Sequence, residues 1–121
     1  MKTVLYDKLV RDRMQDVIRE DGNEGDFRYL LDSEVMDALM VKLREEVEEF
    51  IVDRSMNEMA DVFEVLWCIG ERLGINWKEL DRVRSMKDAA RGSFRKGLWL
   101  GEVRYLNAVT NPNSGKEYGA E

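Results

Sequence analysis

The 121-residue chain has the length of a single domain, and its 44% hydrophobic and 36% charged residues are typical of a globular protein. A net charge of −6 argues against a surface that binds nucleic-acid polymers. The chain has no histidine and one cysteine, Cys68, which excludes histidine general bases, histidine-containing metal sites, intrachain disulfides and cysteine-cluster zinc sites.

The first ten residues, MKTVLYDKLV, lack the apolar run of a signal peptide. No stretch of the sequence approaches the ~20 apolar residues that a membrane span requires. We therefore expect a cytoplasmic protein that does not bind membranes.

Two helices are predicted in the first half of the chain. Apolar residues at an i, i+4 spacing predict the first over about residues 6–20, and the two glycines of DGNEGD end it. Asp32 or Ser33 is the expected cap of a second helix that runs to about Val52.

Two further helices follow. Ser55 and Glu58 form the capping-box pattern of a third helix that Gly74 ends. Asn76 begins a fourth helix in the same way, and Gly92 ends it.

The sequence after the fourth helix is not helical in pattern. SFRKGLWLGEVRYL alternates weakly and fits either a short hairpin or an extended arm. The remaining residues are polar and of low hydrophobicity. The elements together predict an all-α, four-helix domain over residues 1–106 with a short extended C-terminal arm, followed by a flexible tail over residues 107–121.

The glutamates of the second helix are not equivalent in angle. At about 100° per residue from Val35, the apolar stripe is centred near 80°. Glu46 falls at about 20° and Glu49 at about 320°, along one border of the stripe. Glu45 and Glu48 fall at about 280° and 220°, on the far side.

The third helix has a matching acidic border. Glu58 and Asp61 lie one turn apart beside its apolar face. The short connection predicts an antiparallel hairpin, which brings these acids opposite Glu46 and Glu49. Four carboxylates at one place repel each other unless a cation neutralises them. Oxygen ligands without nitrogen or sulfur suit Mg²⁺ or Mn²⁺.

Simpler interpretations of the same residues remain open. The acids are equally well explained as a solvated helix border, with Glu58 closing the capping box on Ser55 and Glu46 pairing with Lys42. Cys68 is either a nucleophile or, in its apolar context without a base, a buried thiol.

Three sequence blocks resemble one protein family. EEVEE, residues 45–49, followed by EMAD, residues 58–61, is similar to the acidic signature of the all-α nucleoside triphosphate pyrophosphatases, the MazG-like superfamily. YDKLVRD, residues 6–12, and KDAARGSF, residues 87–94, resemble blocks of its phosphoribosyl-ATP pyrophosphohydrolase-like branch. The chain departs from that pattern in a short gap between the acidic pairs and in Met14-Gln15, where Ile-Pro is usual.

The resemblance implies a MazG-like bundle that works as a homodimer or higher homo-oligomer. It implies Mg²⁺-dependent cleavage of a nucleoside triphosphate between the α- and β-phosphates, which yields a nucleoside monophosphate and pyrophosphate and serves nucleotide-pool house-cleaning. The metal ligands carried over are Glu46, Glu49, Glu58 and Asp61. Glu45 is the remaining acid of the catalytic motif, and it either orients water or is structural.

The triphosphate needs cations opposite the carboxylates. The candidate phosphate-binding residues are Lys8, Arg11, Lys87, Arg91 and Arg95.

The apolar residues of the third helix lie on nearly all of its sides, which favours burial of this helix in a homodimer interface. Two other functions stay open: a non-catalytic metal-dependent nucleotide-binding or sensing protein, and a plain helical interaction module.

Overall fold

The computed structural model describes residues 1–107 and 109–119. These residues contain four α-helices and no strand, which confirms the all-α prediction. The helices are α1 Met14–Glu20, α2 Asp32–Val52, α3 Met56–Arg72 and α4 Trp77–Arg91. The chain divides into two compact units, Met1–Val83 and Arg84–Glu121. The predicted boundary near residue 107 stays a prediction.

An antiparallel hairpin of α2 and α3 forms the centre of the first unit. The C-terminal end of α3 meets the N-terminal end of α2 through an ion pair, with Arg72 Nη1 3.0 Å from Asp32 Oδ1. The buried apolar core consists of Leu39, Val65 and Ile69. Five half-buried side chains pack against it: Leu9, Val35, Met36, Leu43 and Cys68.

Capping side chains set the starts of α3 and α4 as predicted. Ser55 Oγ accepts a hydrogen bond from the Glu58 N–H at 3.2 Å, and Asn76 Oδ1 accepts one from the Glu79 N–H at 3.1 Å. These bonds satisfy backbone donors that the first helical turn leaves without partners.

The predicted cap of α2 is wrong. The cap residue is Leu31, and the Glu34 carboxylate reaches back to accept the Leu31 N–H at 2.9 Å. The Glu34 N–H in turn donates to the Leu31 carbonyl at 2.8 Å, so a first-turn donor has a backbone partner without a side-chain cap from Asp32 or Ser33. Asp32 lies inside the first turn, where it pairs with Arg72.

The first helix is shorter than predicted, because it begins only at Met14. Asp7 has a positive φ of 45°, which is incompatible with a continuing helix. Leu9 packs against the core instead of continuing a helix face. Tertiary contacts therefore hold residues 6–13 in an irregular path, although their apolar spacing suits a helix.

Gly70 allows the beginning of α4 to approach α3 closely. The rings of Trp67 and Trp77 stack with centroids 4.4 Å apart. A Cβ at residue 70 would lie 2.6 Å from two ring atoms of Trp77. Any side chain at this position would displace the stacked ring.

The second unit contains the end of α4 and the residues that follow it. Gly92 ends the helix with a φ of +81°, as predicted. Residues 98–105 form neither helix nor strand, so the hairpin alternative is not realised among the described residues. Tyr105 stacks on Tyr118 with ring centroids 6.4 Å apart, and its hydroxyl donates to the Lys116 carbonyl. The flexibility of the tail stays a prediction.

The length and apolar character of the helices decide whether any of them can span a membrane. Within the described parts of the chain, none is both long and apolar enough to cross a bilayer.

We predict that Gly70→Ala lowers the free energy of unfolding by about 1–3 kcal/mol, the usual effect of overpacking. Urea denaturation at fixed protein concentration measures it. In a Trp77→Ala background the same change should instead stabilise the protein by up to about 1 kcal/mol, because alanine has the higher helix propensity. Gly101→Ala, with no atom within 4 Å of the added Cβ, is the control. Destabilisation in both backgrounds would contradict the packing argument.

Candidate metal centre

Three carboxylates meet where α2 and α3 approach their connecting turn. Glu46, Glu58 and Asp61 each place an oxygen within 4.8 Å of the others. Glu46 comes from α2, and the other two lie one turn apart at the start of α3. The hairpin therefore brings together three of the four residues that were predicted as metal ligands.

Glu46 is the most buried acid of the group, with 6% of its surface exposed. Its Oε1 lies 3.1 Å from the Lys42 ammonium, one helical turn earlier. Its Oε2 is inaccessible to solvent and has no hydrogen-bond partner among the described residues. The simpler interpretation, an i, i+4 pair, accounts for one oxygen of Glu46 and leaves the other without a partner.

Lys42 holds two acids at once, since its ammonium also lies 3.5 Å from Glu45 Oε2. Burial lowers the pKa of Lys42, but its hydrogen bond to Glu46 and the charges of Glu46 and Glu45 outweigh burial, so the net pKa is raised. Lys42 was predicted only as an alternative partner of Glu46. The signal was present in its i+3 and i+4 spacing from two motif glutamates.

Asp61 has a partner from outside the hairpin. Arg11 Nη2 donates to Asp61 Oδ1 at 2.8 Å. Arg11 lies in the irregular segment before α1, so this pair joins the N-terminal segment to the carboxylate group. The sequence predicted Arg11 as a phosphate-binding residue and did not predict its contact with a metal ligand.

Glu58 forms no ion pair with a Lys or Arg among residues 1–107 and 109–119. Its Oε2 is solvent-inaccessible and lacks a hydrogen-bond partner among the described residues. Desolvation, followed by the charges of Glu49, Asp61, Asp53 and Glu46, raises the pKa of Glu58. Its carboxylate does not close a capping box, because the Ser55 N–H donates to the Asp53 carbonyl at 2.8 Å.

The remaining motif glutamates match the angular prediction in part. Glu48 is exposed as predicted. Glu49 is also exposed and lies outside the group of three, although its charge acts on Glu58. Glu45 is half-buried rather than solvated. Asp7, Lys8 and Leu9 line one pocket with Glu45, so the N-terminal segment lies beside a helix face that periodicity alone assigns to solvent.

The donor set fits a hard divalent cation. It consists of carboxylate oxygens only, the ligand type that hard divalent cations prefer. Two of these oxygens, Glu46 Oε2 and Glu58 Oε2, are buried without a partner. Buried carboxylate oxygens without hydrogen bonds are unfavourable, and a cation in contact with both would satisfy them.

The predicted phosphate-binding residues lie in both units. Lys8 lines the pocket beside Lys42 and Glu45. Lys87 and Arg91 are exposed on the last turns of α4, and Arg95 follows in a turn. Arg91 and Arg95 make no ion pair with described residues.

Cys68 fits the interpretation as a structural thiol. It is half-buried and packs against the core. Burial and the charges of Glu64 and Glu71 raise its pKa, which disfavours the nucleophilic thiolate.

Comparisons of the chain with family models, with curated proteins and with solved structures found no match. The geometry of the carboxylate group and the sequence blocks described above therefore carry the functional argument.

We predict that Glu58→Gln raises the melting temperature of the metal-free protein by a few degrees, because it removes a desolvated charge that four neighbouring acids repel. Thermal melts in a chelator measure the change. The folded-state pKa of Glu58 is raised above its ordinary value of 4.5, so its favourable contribution is present at lower pH and is lost as the pH rises through the folded-state value. The advantage of Gln should accordingly be small near pH 4.5 and full at neutral pH. Glu48→Gln, at an exposed position, is the control, and an equal effect of both would contradict the argument.

Proposed function

We propose that the protein is a Mg²⁺-dependent nucleoside triphosphate pyrophosphohydrolase, which Mn²⁺ also activates. It cleaves between the α- and β-phosphates, releases pyrophosphate and a nucleoside monophosphate, and serves nucleotide-pool house-cleaning in the cytoplasm. The observation that carries the proposal is the group of three carboxylates with two buried, partnerless oxygens.

The acids take distinct roles in this proposal. Glu46, Glu58 and Asp61 hold the cation, and the exposed Glu49 joins them. A divalent ion at this position supplies charge neutralisation and acidifies a water molecule. Glu45, half-buried and held by Lys42, is the carboxylate outside the ligand set that accepts the proton. Hydrolysis of a phosphoanhydride needs no covalent nucleophile, which is consistent with a chain without histidine and with a structural cysteine.

Basic residues bind the substrate phosphates in this proposal. The sequence from residue 84 onward carries seven Lys or Arg and four Asp or Glu, whereas residues 1–83 carry twelve and twenty-one. Lys87, Arg91 and Arg95 belong to this basic part, and Lys8 and Arg11 belong to the acidic part. Guanidinium groups bind phosphate oxygens with two parallel hydrogen bonds, so the arginines fix the orientation of the triphosphate.

A homodimer covers the apolar surface that the monomer leaves open. Among the described residues, only Leu39, Val65 and Ile69 form a buried apolar core. Large apolar side chains remain exposed on both hairpin helices: Met40, Val41, Val47, Ile51, Met59, Phe63, Leu66 and Trp67. Many exposed apolar side chains on one pair of helices suggest an interaction site, and a second copy of the hairpin is the partner we propose.

We predict that Glu46→Gln and Asp61→Asn each lower pyrophosphate release by at least about 100-fold, the effect expected from loss of a metal contact. The assay is a panel of nucleoside triphosphates with and without Mg²⁺, and circular dichroism verifies the fold. Glu48→Gln, exposed and outside the group, should retain activity. Mg²⁺-dependent nucleotide binding without turnover by the wild type would favour a sensing protein, and no binding at all would favour an interaction module.

We predict that Leu66→Asp converts a dimer into a monomer, because an unpaired charge is costly to bury in an apolar interface. Leu66 is 44% exposed in the single chain, so the helix itself tolerates the change. Sedimentation over a range of protein concentrations measures the assembly. Tyr29→Asp introduces the same charge at a 93% exposed site outside the helices and should leave assembly unchanged. A wild type that stays monomeric at every concentration would refute the interface.

A further inference from the structure

The carboxylate group already has two protein cations, and they differ in burial. The side chains of Lys42 and Glu46 are 17% and 8% exposed. The side chains of Arg11 and Asp61 are 60% and 32% exposed. Exposed ion pairs contribute little to stability, whereas breaking a buried pair leaves an uncompensated charge and is strongly unfavourable. The Arg11–Asp61 pair is therefore the one that a competing cation can replace.

We propose that Arg11 is an exchangeable counter-ion of this site. In the metal-free protein it neutralises Asp61; when a divalent cation binds to the carboxylates, Arg11 leaves Asp61 and binds the phosphates of the substrate. This inference rests on the metal-dependent function proposed above, and it adds a coupling between metal binding and the position of a substrate-binding residue.

Electrostatics provides the driving force for the exchange. The guanidinium nitrogen lies 2.8 Å from Asp61 Oδ1, and the Asp61 carboxylate supplies one of three oxygens within 4.8 Å of each other. A dication among these oxygens is only a few ångströms from the guanidinium, so the two like charges repel strongly. The same dication satisfies Glu46 Oε2 and Glu58 Oε2, which Arg11 leaves without partners.

The backbone of Arg11 permits this movement. Arg11 precedes α1, which begins at Met14, so its release breaks no α-helical turn. Leu9 anchors the same segment to the core, which keeps the guanidinium within side-chain reach of the site. Lys42 has no such freedom, because it is half-buried within α2 and held by both Glu45 and Glu46.

The first measurement is Mn²⁺ binding by calorimetry to chelator-treated, full-length protein at constant ionic strength. Arg11→Met should bind Mn²⁺ about two- to fivefold more tightly than wild type, because an exposed competing pair has been removed. Arg13→Met removes the same charge two residues away, at an exposed site that makes no ion pair with described residues, and should leave the affinity near that of wild type. Equal affinities in the two variants, or weaker binding by Arg11→Met, would overturn the exchange.

The second measurement is the binding of inorganic triphosphate, a probe without base or sugar, at saturating Mg²⁺. Arg11→Met should weaken it about tenfold, in line with the loss of one charge-assisted contact, and Arg13→Met should not. One substitution thus acts in opposite directions on the metal and on the phosphates, which a purely structural role of Arg11 does not produce. Unchanged triphosphate binding would overturn the transfer of Arg11 to the phosphates. A wild type that binds no Mn²⁺ would overturn the metal-dependent function together with this inference, whereas normal Mn²⁺ binding with no tightening in Arg11→Met overturns the inference alone.

Discussion

Repulsion among Glu46, Glu58 and Asp61 is the constraint around which the first unit is organised. Three carboxylates with oxygens within 4.8 Å of each other are unfavourable unless positive charge compensates them. Lys42 compensates Glu46 from the same helix, and Arg11 compensates Asp61 from the N-terminal segment. Glu58 has no compensating cation in the described part of the chain, and desolvation together with the charges of its acidic neighbours raises its pKa. A divalent cation would complete a compensation that the chain carries out only in part.

The carboxylate group and the apolar core that stabilises the hairpin lie at opposite ends of it. The core of Leu39, Val65 and Ile69 lies towards the open end of the α2–α3 hairpin, and the carboxylates lie towards its turn. Leu39 and Glu46 are seven residues apart, or about 10 Å along the helix axis. Packing at one end therefore fixes the relative position of the two helices, and the other end holds carboxylates whose charges are compensated only in part.

The N-terminal segment links the two ends of this arrangement. Leu9 packs on the core, while Arg11, two residues later, reaches Asp61. The segment therefore contacts both the apolar core of the hairpin and the carboxylate group. The exposed apolar side chains also lie on the two hairpin helices, so the carboxylates and the proposed dimer interface share the same two elements.

The sequence alone determined the all-α class, the starts of α3 and α4, the hairpin, and the inward position of Glu46. These features depend on local rules: a side-chain cap bonds within one turn, and helical periodicity places a residue relative to its own neighbours.

Tertiary structure decided the path of the N-terminal segment and the burial of the other acids. The path of residues 6–13 deviates from its helical spacing because Leu9 and Arg11 find partners far along the chain. Glu45 is half-buried beside that segment and pairs with Lys42, while Glu49 is exposed although it borders the apolar stripe. Periodicity describes one helix at a time, and burial depends on which other segments pack against that helix.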